Sequence, residues 1–178
     1  MVDAADNAAW ANAVRPNTKV FFCESPANPT LQLADLAHIG AVSKQAGACF
    51  VMDNIFAAPI IQRPIEFGAD VIVYSGTKHI DGQGRTMGGA ICCTQEFYDE
   101  TLLHFMRHTG PTLRPFNAWT LAKGLETLKL RLDRMAANAA SVAAFLDQHP
   151  KVEKALYPGL ASHPQHELAK RQMANGGT

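Results

Sequence analysis

Val71-Ile-Val-Tyr-Ser-Gly-Thr-Lys78-His79 sets a short apolar run against a small-residue turn that carries two hydroxyls and a lysine. Val71 to Tyr74 is rich in β-branched residues and predicts a buried strand. Ser75, Gly76 and Thr77 break the apolar pattern where a strand would reach the edge of a sheet. Lys78 follows at once. A lysine is costly to bury unless it is paired or used, and its compact amine is a nucleophile for carbonyl groups when neighbours push it towards neutrality. By itself, Lys78 reads more readily as a surface residue opening a loop. A second strand-like run, Ala48-Cys-Phe-Val-Met52, ends in Asp53-Asn54. Two strand ends would then deliver a carboxylate and an amine to one place, as α/β sheets do when they build a site. Taken alone, Asp53 reads equally well as a helix or turn cap.

Outward from this pair the grammar is strand, helix, strand, turn, strand. Residues 1–19 predict an Ala-rich helix and an Arg-Pro-Asn-Thr turn. Lys19 to Glu24 predicts a strand, and Ser25-Pro-Ala-Asn-Pro29 a loop that its two prolines keep from being helical. Asp35 to Ala46 has the spacing of an amphipathic helix closed by Gly47. Such an order predicts a largely parallel sheet with helices on its faces. After Lys78, Asp81-Gly-Gln-Gly84-Arg-Thr-Met-Gly-Gly89 fits neither the dinucleotide fingerprint nor a P-loop. Gly88 to Cys93 predicts a returning strand, Glu96 to His108 a helix, and Phe116 to about Gln148 one long helix with a bend or restart near Gly124. Val152 to Tyr157 predicts a short strand, and Gln165 to Met173 a final helix. Trp10 and Trp119 both lie in helical patterns and are expected to pack. His163 and His166 read as a solvent-facing helix start, since no acidic or thiol partner stands at ligand spacing.

Sixteen basic residues balance sixteen acidic ones, which gives no pull towards nucleic acid or an anionic membrane. No apolar run approaches the length of a bilayer span. The four cysteines lie on strand-like segments without disulfide spacing, and predict buried reduced thiols in a cytoplasmic protein.

Three segments, Glu24-Ser-Pro-Ala-Asn28-Pro29, Val51-Met-Asp53-Asn-Ile-Phe-Ala-Ala-Pro59 and Tyr74-Ser-Gly-Thr-Lys78-His79, together resemble the Cys/Met-metabolism family of pyridoxal-phosphate (PLP) enzymes. That family includes cystathionine γ-synthases, cystathionine lyases, methionine γ-lyases and homoserine-ester sulfhydrylases. The resemblance implies an α/β fold, the PLP-dependent transferase fold type I, with the start of a small α+β C-terminal domain. Residues 1–115 would belong to the large PLP-binding domain, 116–148 to a connecting helix and 149–178 to the truncated small domain. By the same resemblance Lys78 is the lysine joined to PLP, and Asp53 partners the pyridinium nitrogen. Ser75 and Thr77 hydrogen-bond the cofactor phosphate, and Asn28 contacts the ring oxygen and the substrate carboxylate. No metal is implied. Lys78-His-Ile-Asp-Gly-Gln-Gly-Arg85 is most similar to the loop of the O-succinylhomoserine sulfhydrylases, which implies γ-replacement of succinate by sulfide to give homocysteine. Cystathionine γ-synthase, O-acetylhomoserine sulfhydrylase and γ-lyase activities stand as alternatives within the family, and a non-catalytic fragment or association module as one outside it. The family's phosphate loop lies upstream of anything matched here, and its carboxylate-binding arginine lies beyond Thr178. The chain therefore resembles the middle of a homo-oligomeric enzyme, a dimer of dimers, and is expected to be inactive alone.

Overall fold

The computed structural model describes residues 1–178 and is organised around a four-stranded sheet in the order β1-β2-β3-β4. Strands β1 (Val20–Glu24), β2 (Cys49–Asp53) and β3 (Val71–Ser75) run parallel, and β4 (Gly89–Cys93) returns antiparallel to β3. The register pairs Glu24 with Asp53, Asp53 with Val73, and Ser75 with Gly89. The carboxyl ends of the three parallel strands therefore lie along one edge.

Alternation along the strands decides which face is covered. Phe21, Cys23, Phe50, Met52 and Ile72 point into a core shared with Trp10, Leu36 and Ile39. Trp10 of helix α1 (Asn7–Asn12) stacks on Phe21 at 6.0 Å. Leu36 and Ile39 come from helix α2 (Leu36–Gln45), whose first turn is capped by the Asp35 carboxylate accepting from the His38 N–H at 3.1 Å. Gly47 adopts the left-handed backbone, φ 61°, that ends α2 and turns the chain into β2. Each large apolar side chain buried here contributes about 1.5–3 kcal/mol. On the other face Val20 and Phe22 are exposed, so β1 is covered on one side only.

A second core joins distant parts of the chain. Leu33, Ala57, Ala58 and Ile61, the last two in the short helix α3 (Ala58–Ile61), pack with Leu128, Leu132, Ala169 and Met173. Polar side chains reinforce the junction. The Gln165 side chain donates to the Leu33 carbonyl at 2.6 Å and accepts from the Leu33 N–H at 2.8 Å. Gln172 donates to the Ala34 carbonyl at 3.0 Å and to Gln62 Oε1 at 3.2 Å.

From β4 the chain enters helical turns over Gln95–Thr109, made of α4 (Gln95–Phe97), a π-helical turn and α5 (Leu103–Thr109). The helical stretch expected over 116–148 does restart near Gly124, as two helices, α6 (Pro115–Leu125) and α7 (Leu128–Asp147). The break falls at Glu126 and Thr127, just past Gly124, where α6 runs against the turn that carries Lys78. No strand forms over 152–157. Strands exist by pairing, and this segment pairs with none of the four sheet strands. Helix α8 (His166–Gln172) ends the chain's regular structure. Trp119 is 58% exposed, 5.9 Å from the still more open Phe116, and so does not pack as Trp10 does at 7%. His163 is buried, accepting at Nδ1 from the Gln165 N–H at 3.1 Å, and is no part of a solvent-facing helix start. All four cysteines are free, but only Cys23 is fully buried, and Cys92 is exposed. No helix is long and apolar enough to cross a membrane.

Candidate active site

The site is built where β1, β2 and β3 end. Sheet spacing sets neighbouring strands about 4.8 Å apart, so residues paired in register start from adjacent positions. Asp53 is the last residue of the middle strand, paired with Val73 on one side and Glu24 on the other. Two residues past Val73 comes Ser75. The chain then winds into a π-helical turn, Gly76–Ile80, whose backbone leaves helical geometry at Lys78 (φ −88°, ψ −113°). Turns of this kind gather at functional sites because they redirect one side chain without ending the element. Here the Asp81 N–H donates to the Gly76 carbonyl at 2.8 Å, and the Gly82 N–H to the Lys78 carbonyl at 2.7 Å.

Gly76 is required by what lies over it. A Cβ there would sit 2.9 Å from a Leu121 methyl and 3.1 Å from the Gly88 carbonyl carbon. The Gly76 N–H also donates to the Gly88 carbonyl at 2.8 Å, which fastens the turn to the strand returning beside it.

The chemistry-bearing groups along this edge are largely uncommitted. The Ser75 hydroxyl caps nothing in its turn. Thr77 Oγ1 accepts a long 3.4 Å bond from the Gly88 N–H, so its proton is free to donate. Lys78 is exposed and joins none of the ion pairs. Asp53 is half-buried and uses one oxygen to accept from the Ile55 N–H at 3.1 Å. Burial raises the Asp53 carboxyl above the ordinary range, and the Ile55 bond only partly offsets this. Its charge, after burial itself, helps push the Cys23 thiol up to about 12. Two hydroxyl donors, a free amine and a carboxylate oxygen make a donor set that fits a phosphate, an aldehyde and a ring cation respectively. Asn28 stands apart, in the turn after β1 on the same edge. It is exposed, and its N–H donates to Glu24 Oε2 at 3.3 Å.

The raised Asp53 has a consequence for stability. A carboxyl whose folded pKa lies above its unfolded one binds protons more tightly in the folded state. Its contribution is present below about pH 3.9 and is lost as pH rises through the folded value. Asp53→Asn removes that loss while keeping an acceptor for Ile55. The variant is expected to melt higher than the unmodified chain at neutral pH, with the gap closing in acid. Melting curves across pH check this, and a lower melting point at neutral pH would contradict it.

Groups outside the three segments hold the turn. The Asp81 side chain is covered and accepts from the Arg85 N–H at 2.6 Å and from Arg85 Nε at 2.9 Å. Burial works to raise this carboxyl, but the Arg85 backbone and side-chain bonds outweigh it and hold it below the usual range. From α7, Arg131 reaches across to the carbonyls of His79 and Ile80. Burial first and the Arg131 charge second lower the His79 ring below its ordinary value, and a backbone bond with Phe56 opposes them. Arg131 left no local signal in the sequence, since it stands 52 residues beyond His79. For Asp81 and Arg85, i, i+4 spacing was the available cue.

The family model for Cys/Met metabolism PLP-dependent enzymes matches residues 1–178. The chain belongs to that family. PLP is accordingly its cofactor, and an exposed amine next to two free hydroxyls, with a carboxylate on the same sheet edge, fits that group. This Cys/Met-metabolism chain is 50% identical over 177 residues to an O-succinylhomoserine sulfhydrylase of Mycobacterium tuberculosis (strain CDC 1551 / Oshkosh), covering 99% of this chain and 44% of that protein. It is 48% identical over 173 residues to the O-succinylhomoserine sulfhydrylase of Pseudomonas aeruginosa, covering 97% and 43%. The crystal structure of cystathionine γ-lyase from Lactobacillus plantarum complexed with L-serine superposes with a TM-score of 0.95 at 32% identity, covering 99% of this chain and 46% of that one. The fold is thus that of the PLP-dependent enzymes, a mostly parallel sheet with flanking helices. The chain spans less than half the length of these relatives, whose activities differ from one another.

Proposed function

We propose that the chain forms the cofactor-holding centre of an O-succinylhomoserine sulfhydrylase, which replaces the γ-succinyl group of its substrate with sulfide to release homocysteine and succinate. The observation that carries this is the gathering of Lys78, Asp53, Ser75 and Thr77 at one sheet edge. Half-identity to sulfhydrylases over almost the whole chain supports the choice of substrate. Lys78 would hold the cofactor at its aldehyde carbon, and its amine would move the proton at the substrate's α-carbon. Asp53 keeps the ring nitrogen protonated, and its partly desolvated carboxylate favours such a cation. Ser75 and Thr77 donate to the phosphate, and Asn28 offers its amide to the substrate carboxylate. Bound PLP supplies the electron sink that the α-carbanion needs. Residues 1–115 form the cofactor domain in this reading, and the parent is a homo-oligomer.

The test is homocysteine formation from O-succinylhomoserine and sulfide by a version extended at both ends to the length of its relatives. Asp53→Asn in that version is expected to lower turnover about 100-fold, as removal of a preorganised electrostatic partner does. Turnover with cysteine instead of sulfide, or elimination without a nucleophile, would move the assignment to a synthase or a lyase.

A further inference from the structure

We propose that Arg131 is a positioning residue for Lys78, acting through the main chain of the turn; the inference rests on the reading of Lys78 as the cofactor lysine. The Arg131 guanidinium makes four hydrogen bonds. Nη1 donates to the His79 carbonyl at 2.8 Å, and Nη2 to the carbonyls of Ile80 at 3.2 Å and Gly124 at 2.8 Å. Nε donates to Thr127 Oγ1 at 3.1 Å. No carboxylate pairs with it. A full cation is thus held by three main-chain carbonyls, two of them on the residues directly after Lys78.

The carbonyl accounting explains why the turn needs it. Within the turn, the Gly76 and Lys78 carbonyls accept from Asp81 and Gly82. The His79 and Ile80 carbonyls receive the Arg131 bonds instead. Gly82 leaves room for this, because a Cβ there would collide with the guanidinium. Lys78 itself departs from helical geometry, so its direction depends on what fixes the residues on either side. Before it, Ser75 is fixed by pairing with Gly89 in the sheet. After it, the fixing group is Arg131. A lysine at 131 would keep the charge but not the planar fork that reaches several carbonyls at once.

The experiment compares the chain with R131K, R131M and R131A by peptide-resolved hydrogen exchange and by borohydride trapping of added PLP with mapping of the labelled lysine. R131K is expected to retain the exchange pattern of the sheet strands while the amides of Asp81 and Gly82 exchange about tenfold faster. The share of label on Lys78 should fall about fivefold or more, since a misdirected amine loses its positional advantage. Methylguanidinium added to R131A should restore both, which a general loss of packing would not allow. If R131M fails to fold, R131K decides, since it keeps the stem and the charge. Selective labelling of Lys78 that survives R131K undiminished would overturn this inference alone. Equal labelling of all lysines in the unmodified chain would overturn the cofactor reading, and this inference with it.

Discussion

Lys78→Ala is expected to abolish site-specific fixation of PLP: after borohydride reduction the dominant labelled peptide disappears, leaving only a weak scatter over other lysines. The contrast rests on surroundings. Lys123, Lys129 and Lys170 lie within 2.6, 2.6 and 3.3 Å of Glu126, Asp133 and Glu167, carboxylates that hold their amines in ion pairs. These are exposed pairs, each worth at most about 1 kcal/mol, so they suppress labelling without forbidding it. Lys78, like Lys19, Lys44, Lys151 and Lys154, has no such partner, but it also stands beside two hydroxyls free to donate to a phosphate. In the version extended to the length of its relatives, the same substitution removes the group that moves the α-proton. Turnover is expected to fall about 1,000-fold or more, in line with general acid–base contributions. Peptide mapping and a visible absorbance scan are the measurements. Undiminished fixation in K78A would mean that another amine holds the cofactor.

Gly124→Ala is expected to destabilise the chain, against the ordinary preference for alanine in a helix. In an open helix interior the change gains roughly 0.5–1 kcal/mol. Here the added methyl would land on the Ile80 carbonyl oxygen, 3.0 Å from that carbonyl's carbon and 3.1 Å from the Asp81 Cα. Every one of those atoms is backbone, so no side chain can swing aside. Either α6 retreats or the lysine turn moves, and overpacking of this kind costs about 1–3 kcal/mol. The Arg131 bond to the Gly124 carbonyl is strained or lost in either case. A fall in melting temperature of several degrees follows, at about 2–4 °C per kcal/mol for a chain of this size. A G124A chain that melts at or above the unmodified one would show that α6 and the turn are less tightly apposed than the structure has them.

The strands, the order of elements and the position of the candidate site were legible in the sequence because each depends on neighbouring residues. The apolar runs over 20–23 and 48–52, the small-residue turn after Tyr74 and the helical spacing over 35–46 are properties of a few consecutive residues. Parallel grammar then placed Asp53 and Lys78 at strand ends on one edge. What lay beyond this depended on which distant segments met. The restart expected near Gly124 was legible, but its place at Glu126 and Thr127 was set where α6 abuts the lysine turn. The tertiary structure left 152–157 without a strand, because a strand is decided by its partner and this segment pairs with none. Trp10 was buried and Trp119 left open, though both have helical spacing, because spacing marks a face without saying what covers it. Arg131 and Gly124 acquired their roles only through contact with a turn some fifty residues earlier in the chain, and a single sequence carries no local trace of such a meeting.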